Sequence, residues 1–491
     1  METIIQPILD HCRKTPDKIA MQQEGEIRTY KQFMQNVRKV AKGLQEMNIT
    51  QEKVALLSRN RIEYAEVFLG ITYAGYAPLT LDTKWSQMEI TEVLQLNQVE
   101  VIFGDNRILK NIEHPLLKER ISFQSTAENT FYRDWLEGKQ MAKEQVFHSL
   151  LFIGYTSGTT GVPKGYKRTH VSWIRSFQAS VDVFGIGSED HFIAPGGFAH
   201  SLSLFALMQS LYLGATFHIL TKFQPRKVKT LCNQYANSVL FLVPTMIDTL
   251  LKEEGSLSVK ALISSGAQWS HQSKCHAKKR WGQASLYEFY GLSEASYISF
   301  TPVQEDTDTQ LRQHLFPGVS VEIRNEQGEK LPPEQIGQIC VRSDMLFSGY
   351  DHQPEATRET LKDGWLLSGD YGYLDSQGGL HLAGRQKNKM ITGGLNVYPE
   401  EVEKVIKRLR FVKEAMVFGE ADSSLGEKIV VVIAWEIGEM LSSHQVRKFC
   451  AMYLAAYKVP RKVLTVEKFY YTSGGKIARK TMIDLVEGRN G

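Results

Sequence analysis

Between Tyr155 and Gly165 the chain reads YTSGTTGVPKG, setting the hydroxyls of Thr156, Ser157, Thr159 and Thr160 beside Gly158, Gly161 and the cation of Lys164. Glycines let backbone N–H groups turn inward on an anion, hydroxyls add donors, and a lysine adds a point charge. The run is therefore suited to holding phosphate, and a nucleoside triphosphate is the natural guest. It is not the Walker loop, which needs Gly directly before the Lys, because Pro163 stands there. A polar surface loop is the competing reading for such a composition. The run follows the apolar stretch Leu150-Leu151-Phe152-Ile153, which reads as a buried strand and favours the phosphate reading.

The elements that must position this loop follow an alternating pattern. Short apolar runs at 54–57, 239–243 and 261–264 read as strands, and 63–73 has helical period. That alternation predicts an α/β fold of layered sheets and helices. The polar, largely basic GRQKNK at 384–389 separates two apolar stretches. Beyond it, strand-like 415–418 and 429–433 and a helical segment over 400–408 predict a small α/β unit. The expected organisation is a large N-terminal domain and a small C-terminal lid that part within this linker.

Composition sets bounds. With 491 residues, 42% apolar and 23% charged, the chain has the balance of a soluble globular protein with more than one domain. A net charge of +4 does not call for a nucleic-acid partner. The five cysteines, at 12, 232, 275, 340 and 450, form no CxxC pair, so neither a disulfide framework nor a zinc site is expected, and a reducing cytoplasm fits best. The charged N-terminus does not read as a secretory signal. Residues 192–221 lack Asp, Glu, Lys and Arg, but Pro195, Gly196, Gly197, His200 and Gln209 argue for a buried helix and strand rather than a membrane span.

YTSGTTGVPKG resembles the phosphate-loop signature of the adenylate-forming superfamily, which contains acyl-CoA synthetases, nonribosomal peptide adenylation domains and firefly luciferase. Further matches follow in the family's order: YGLSE at 290–294, GWLLSGD at 364–370, GRQKNKMITGGLNVYPEEVE at 384–403 and TSGGKIAR at 472–479. The resemblance implies an AMP-forming acid–CoA ligase using ATP, Mg²⁺ and CoA. It implies that residues 156–164 wrap the β- and γ-phosphates, that Glu294, with Thr156, holds Mg²⁺, and that Tyr290 and Gly291 flank adenine. Ser293 would reach the α-phosphate or the metal shell, Gly266 and Ala267 would border adenine and the acyl tunnel, Asp370 would hold the ribose, and Arg385 would contact the ribose or a phosphate. Lys476 would bridge the substrate carboxylate and the α-phosphate, Lys387 would be the hinge, dividing the chain into 1–386 and a mobile 387–491, and Gly393 and Gly394 would line the path of CoA. His200 stands where relatives place an aromatic or histidine near the reacting carboxylate; a structural histidine is the alternative.

Two positions depart from the pattern. Asn388 stands where Asp is common, and Leu395 where many acyl-CoA synthetases have Glu. The rival readings are an adenylation enzyme loading a separate carrier protein, a luciferase-like oxidation, and a nucleotide-binding protein without turnover. Residues 198–204, 243–246 and 266–269 would make an apolar acyl tunnel, which suits a fatty or aryl acid, with fatty acid expected. A monomer and a homodimer are both ordinary outcomes.

Overall fold

Strands with no polar face lie at the centre of the molecule. Ser238–Leu242 and Ala261–Ser264 are buried at every position, the pattern of strands covered on both faces. They pair in parallel, with Val239 opposite Ala261 and Leu242 opposite Ser264. Ser285–Leu292 continues the sheet in parallel, and Ser296–Pro302 turns back against it. Among the described residues this sheet has nine strands. A second sheet, of seven strands among the described residues, carries Lys53–Leu57, Ala77–Thr80, Leu150–Thr156 and, at its edge, Lys164–Thr169. The computed structural model describes residues 2–125, 129–156, 163–267, 269–304, 313–385, 388–392, 395–422, 425–436, 438–472 and 475–488.

Helix Ile62–Tyr73 has all 12 residues buried, so protein surrounds it on every side, and its side chains join a core shared by strands of both sheets. The uncharged stretch 192–221 resolves into helix Ser201–Leu213 between strands His191–Ile193 and Thr216–His218. Burial explains its composition, and among the described residues no helix is long and apolar enough to cross a membrane. Among the described residues the cysteines form no disulfide.

Among the described residues a third sheet of five strands includes Trp365–Leu374 and Leu380–Arg385, and the C-terminal unit is built on another sheet of five. There, Val412–Asp422 and Gly426–Trp435 pair antiparallel over a core of their own containing Val402, Ile406, Val417, Val431 and Val446. Helix Pro399–Ile406 starts with Pro at its first turn, followed by Glu400 and Glu401, a start that suits both the missing N–H and the helix dipole. The fold is thus α/β, with a large N-terminal and a small C-terminal domain. The helix expected over 400–408 and the strands expected over 415–418 and 429–433 are present, the strands several residues longer than the apolar runs that announced them.

The small domain rests against the large one beside the open ends of the central strands. A Cβ at Gly475 would stand 3.8 Å from Thr245 Oγ1 and Val243 Cγ2, and Lys389 Nζ lies 3.6 Å from Glu326 Oε1. Between the two domains runs a cleft of about 3030 Å³. It lies at the carboxyl ends of strands, where open α/β sheets place their ligands.

Candidate active site

One wall of the cleft is formed where Ser285–Leu292 meets Trp365–Leu374. The Tyr290 hydroxyl donates to Asp370 Oδ2 at 2.6 Å, and Asp370 N donates to Ser368 Oγ at 3.1 Å. Asp370 and Arg385 are cross-strand partners, which brings together two candidates fifteen residues apart in sequence. Only the backbone of Arg385 is described. A bulge at Tyr290/Gly291 turns this strand, and a Cβ at Gly291 would fall 2.0 Å from the carbonyl oxygen of Ser296, so the turn admits only glycine. Gly266 follows strand Ala261–Ser264 at φ +90°, the left-handed region that favours glycine, and with Ala267 it lines the same cleft.

The anionic corner is set by register. Thr156 and Lys164 face each other across the antiparallel pair, so the two ends of the phosphate loop are fixed side by side. Ser157, Gly158, Thr159, Thr160 and Gly161 lie outside the described residues. Glu294 Oε1 accepts from the Tyr350 hydroxyl at 2.9 Å, and Lys164 Nζ sits 5.6 Å from the centre of the Tyr350 ring. Burial, reinforced by the Glu294 carboxylate, pushes the Tyr350 hydroxyl well above its ordinary pKa, which keeps it a donor. Ser293 Oγ lies 3.4 Å from Ser201 Oγ. Behind this turn Arg168, only 1% exposed, donates from Nη1 to the carbonyl of Ser293 at 2.8 Å.

Among the described residues no group of three or more His, Cys, Asp or Glu gathers as a metal cage. Mg²⁺, however, binds through one or two carboxylates plus nucleotide oxygens and keeps its waters, so a cleft that offers a carboxylate and a hydroxyl suits it. Glu294 and Thr156 fit that pattern.

The facing side brings His200 and Lys476 together. His200 Nε2 is 3.5 Å from Asp82 Oδ2. Burial lowers the His200 pKa, Asp82 opposes that shift, and the charges of Lys84 and Lys476 add to it. Burial therefore favours the neutral ring. Lys476, exposed on its turn in the small domain, lines the cleft with His200, Asp370 and Glu294. Lys387, Gly393 and Gly394 lie outside the described residues. Asn388 Nδ2 donates to Glu400 Oε1 at 2.5 Å, a bond that the more common Asp could not donate.

The cleft thus gathers Thr156, Lys164, His200, Gly266, Ala267, Tyr290, Gly291, Ser293, Glu294, Asp370 and Lys476 from segments spread over three hundred residues. The sequence profile of the AMP-binding enzyme family matches residues 8–351, and that of the AMP-binding enzyme C-terminal domain matches residues 401–476. The chain belongs to the AMP-binding enzyme family. It is an adenylate-forming enzyme of the acyl-CoA synthetase type. It is 32% identical over 99% of its length, and 98% of the relative's, to the "Uncharacterized acyl--CoA ligase YhfT" of Bacillus subtilis (strain 168). Over 99% of both chains it is 29% identical to the "Putative long chain fatty acid-CoA ligase VraA" of Staphylococcus aureus (strain COL). The fold matches that of MatB from Rhodopseudomonas palustris, solved with ATP bound, at a TM-score of 0.89 with 24% identity over 100% of both chains.

Three residues of this family member's cleft escape the motifs: Tyr350, Arg168 and Asp82. Each acts on a partner far along the chain: Tyr350 stands 56 positions from Glu294, and Arg168 stands 125 positions from Ser293. No local spacing announces such pairs.

Proposed function

We propose that the protein is a cytoplasmic, Mg²⁺- and ATP-dependent acid–CoA ligase that activates a fatty acid, with its domains divided at 386/387. AMP-forming acid–thiol ligation is the reaction of its class, and the acid and the residue roles are the finer part. The observation that carries the reading is the meeting of Lys476 from the small domain with His200, Glu294 and Asp370 in one cleft.

The substrate carboxylate attacks the α-phosphorus of ATP, forming a carboxyl O–P bond as the bond to pyrophosphate breaks. Negative charge crowds together in that step, and preorganised cations stabilise it more than they stabilise the ground state. Lys476 supplies one at the carboxylate, and Lys164 supplies another at the departing phosphates. Mg²⁺ held by Glu294 and Thr156 would neutralise phosphate oxygens. The Tyr350 hydroxyl fixes the Glu294 carboxylate by its hydrogen bond. Asp370 accepts from the ribose hydroxyls, with Arg385 beside it on the neighbouring strand. Tyr290 and the backbone at Gly291, Gly266 and Ala267 hold adenine, and Ser293 offers its hydroxyl to the α-phosphate.

In the second step the CoA sulfur attacks the acyl carbon, AMP leaves, and the thiol proton passes to solvent. By the family resemblance, Gly393 and Gly394 would line its approach, and rotation about Lys387 would withdraw Lys476. Support for a fatty acid comes from the lining at Phe198, Leu202, Val243, Met246 and Trp269, and from the description carried by the staphylococcal relative.

Pyrophosphate release should be measured across fatty, aryl and amino acids, with and without CoA. Release that requires a fatty acid, with thioester appearing only on addition of CoA, supports the proposal. Release with an aryl acid alone moves the substrate class. Thioester only on a carrier protein's phosphopantetheine moves the acceptor, and ATP binding without release for any acid sinks the reading.

A further inference from the structure

Arg168 is a buried cation that the reaction scheme leaves unused. It lies on strand Lys164–Thr169, four residues after the phosphate-loop lysine. The guanidinium makes four hydrogen bonds: Nη1 to the Ser293 carbonyl at 2.8 Å, Nη2 to Ser296 Oγ and to the Met345 carbonyl, both at 2.7 Å, and Nε to Ser172 Oγ at 3.3 Å. All four acceptors are neutral. Taking a guanidinium out of water without a carboxylate at ion-pair distance is costly, so a purely structural plug is a poor account of it. Burial lowers the Arg168 pKa to about 10, with Tyr166 and Glu294 as the charges that oppose the shift.

Its partners surround Glu294 on both sides in sequence. Ser293 precedes it, and Ser296 follows at φ +58°, a left-handed conformation that a serine holds only under restraint. Met345 begins the segment in which Phe347 N donates to the Glu294 carbonyl at 2.7 Å. Tyr350, further along that segment, holds the Glu294 carboxylate and stands under Lys164. The contacts close a circuit: Lys164, Tyr350, Glu294, the 345–347 segment, Arg168 and back along the strand to Lys164.

We propose that Arg168 is a positioning residue that fixes the Glu294 turn against the phosphate-loop strand, so that the carboxylate stands ready for a nucleotide-bound divalent cation. Arg168 contacts neither nucleotide nor metal, and acts through the planar fork by which one side chain spans three segments. Lysine, with one donor centre, keeps the charge but cannot make that span. The inference rests on the reading of Glu294 as the metal-holding carboxylate.

The test is Mn²⁺ titration of the full-length enzyme with a non-hydrolysable ATP analogue, read from the electron paramagnetic resonance of free Mn²⁺. Analogue binding is also measured without metal. Glu294→Gln should weaken Mn²⁺ binding, and Arg168→Lys should weaken it about 10-fold, in the range of groups that orient metal ligands. Metal-free analogue affinity should stay at the native value in Arg168→Lys, a split that general loosening of the site would not give. The double variant should bind Mn²⁺ no more weakly than Glu294→Gln alone. Ser296→Gly, which removes one acceptor while permitting the same backbone, should shift Mn²⁺ binding in the same direction and decides the matter if Arg168→Lys does not fold. Native Mn²⁺ binding in Arg168→Lys or Ser296→Gly beside a weakened Glu294→Gln would overturn the positioning role. Native binding in Glu294→Gln would instead overturn the metal reading, and this inference with it.

Discussion

The large-domain wall of the cleft and the edge supplied by the small domain are built in opposite ways. On the wall the charged groups are buried or half-buried and held across strands: Asp370 is 6% exposed and accepts from Tyr290, and half-buried Glu294 is held by Tyr350 and backed by Arg168. On the other side Lys476 rides an exposed turn closed by its own backbone, with Thr472 N donating to the Lys476 carbonyl at 2.7 Å and Lys476 N to Thr472 Oγ1 at 3.3 Å. A Cβ placed on Gly475 of this turn would stand 3.8 Å from Thr245 Oγ1 and Val243 Cγ2 of the large domain, an ordinary van der Waals distance. Charges needed throughout a reaction are worth bracing, whereas a charge needed in one step is better carried on a part that can leave.

That contrast is sharpest at Lys476. Lys476→Ala should slow acyl-adenylate formation by about 10² to 10³, while thioester formation from supplied acyl-adenylate stays near native and the melting temperature is unchanged. Separate rates for the two half-reactions check this, and an equal loss in both would erase the distinction.

Acid should separate the two domains next. His170 and His218 are buried in the large domain, and burial lowers their pKa values to about 4 and about 3, with His148 and His191 respectively adding to the shift. A lowered folded value means that the unfolded chain takes up the proton first. The stability is thus intact above about pH 6.5 and is lost as pH falls toward those values, at up to ~1.4 kcal/mol per pH unit for each ring. Hydrogen exchange followed from pH 7 to pH 5 should show the large domain opening before the small one. The reverse order would remove this part of the comparison.

A single bond on the braced wall should matter less. Tyr350→Phe deletes the hydroxyl that holds Glu294, and a hydrogen bond to a charged group contributes roughly 1.5–3 kcal/mol, so adenylation should slow by about 10-fold or more. Steady-state kinetics at saturating and limiting Mg²⁺ measure it, with the larger effect expected at limiting metal. The smallest effect is expected at Asn388→Asp. The change sets a second carboxylate beside Glu400 in place of a donor, which weakens the start of the small domain by like-charge contact and should alter turnover only slightly.

The sequence made the cleft legible wherever chemistry is written in a contiguous motif. The two ends of the phosphate loop, the YGLSE strand, Asp370 and Lys476 all arrive in one place, because each motif sits at the end of a strand or in a turn that the α/β layering brings to the same edge. The alternation of buried runs also gave the layers, since Ala261–Ser264 and Ile62–Tyr73 have no polar face to expose. What stayed hidden was the bracing. Arg168, Tyr350 and Asp82 work through partners on other strands, and their roles depend on register and burial that no local pattern encodes. The uncharged stretch at 192–221 lay between these cases: its breakers argued against a membrane span, but only packing shows the helix buried between two sheet strands.

The most direct measurement is a rapid-quench single turnover with α-labelled ATP and a fatty acid, following acyl-adenylate and thioester separately. Acyl-adenylate should form first, only with acid, at least as fast as steady-state turnover, and then disappear as thioester appears when CoA is added. Thioester formed without a preceding adenylate, or AMP formation independent of acid, would contradict the account.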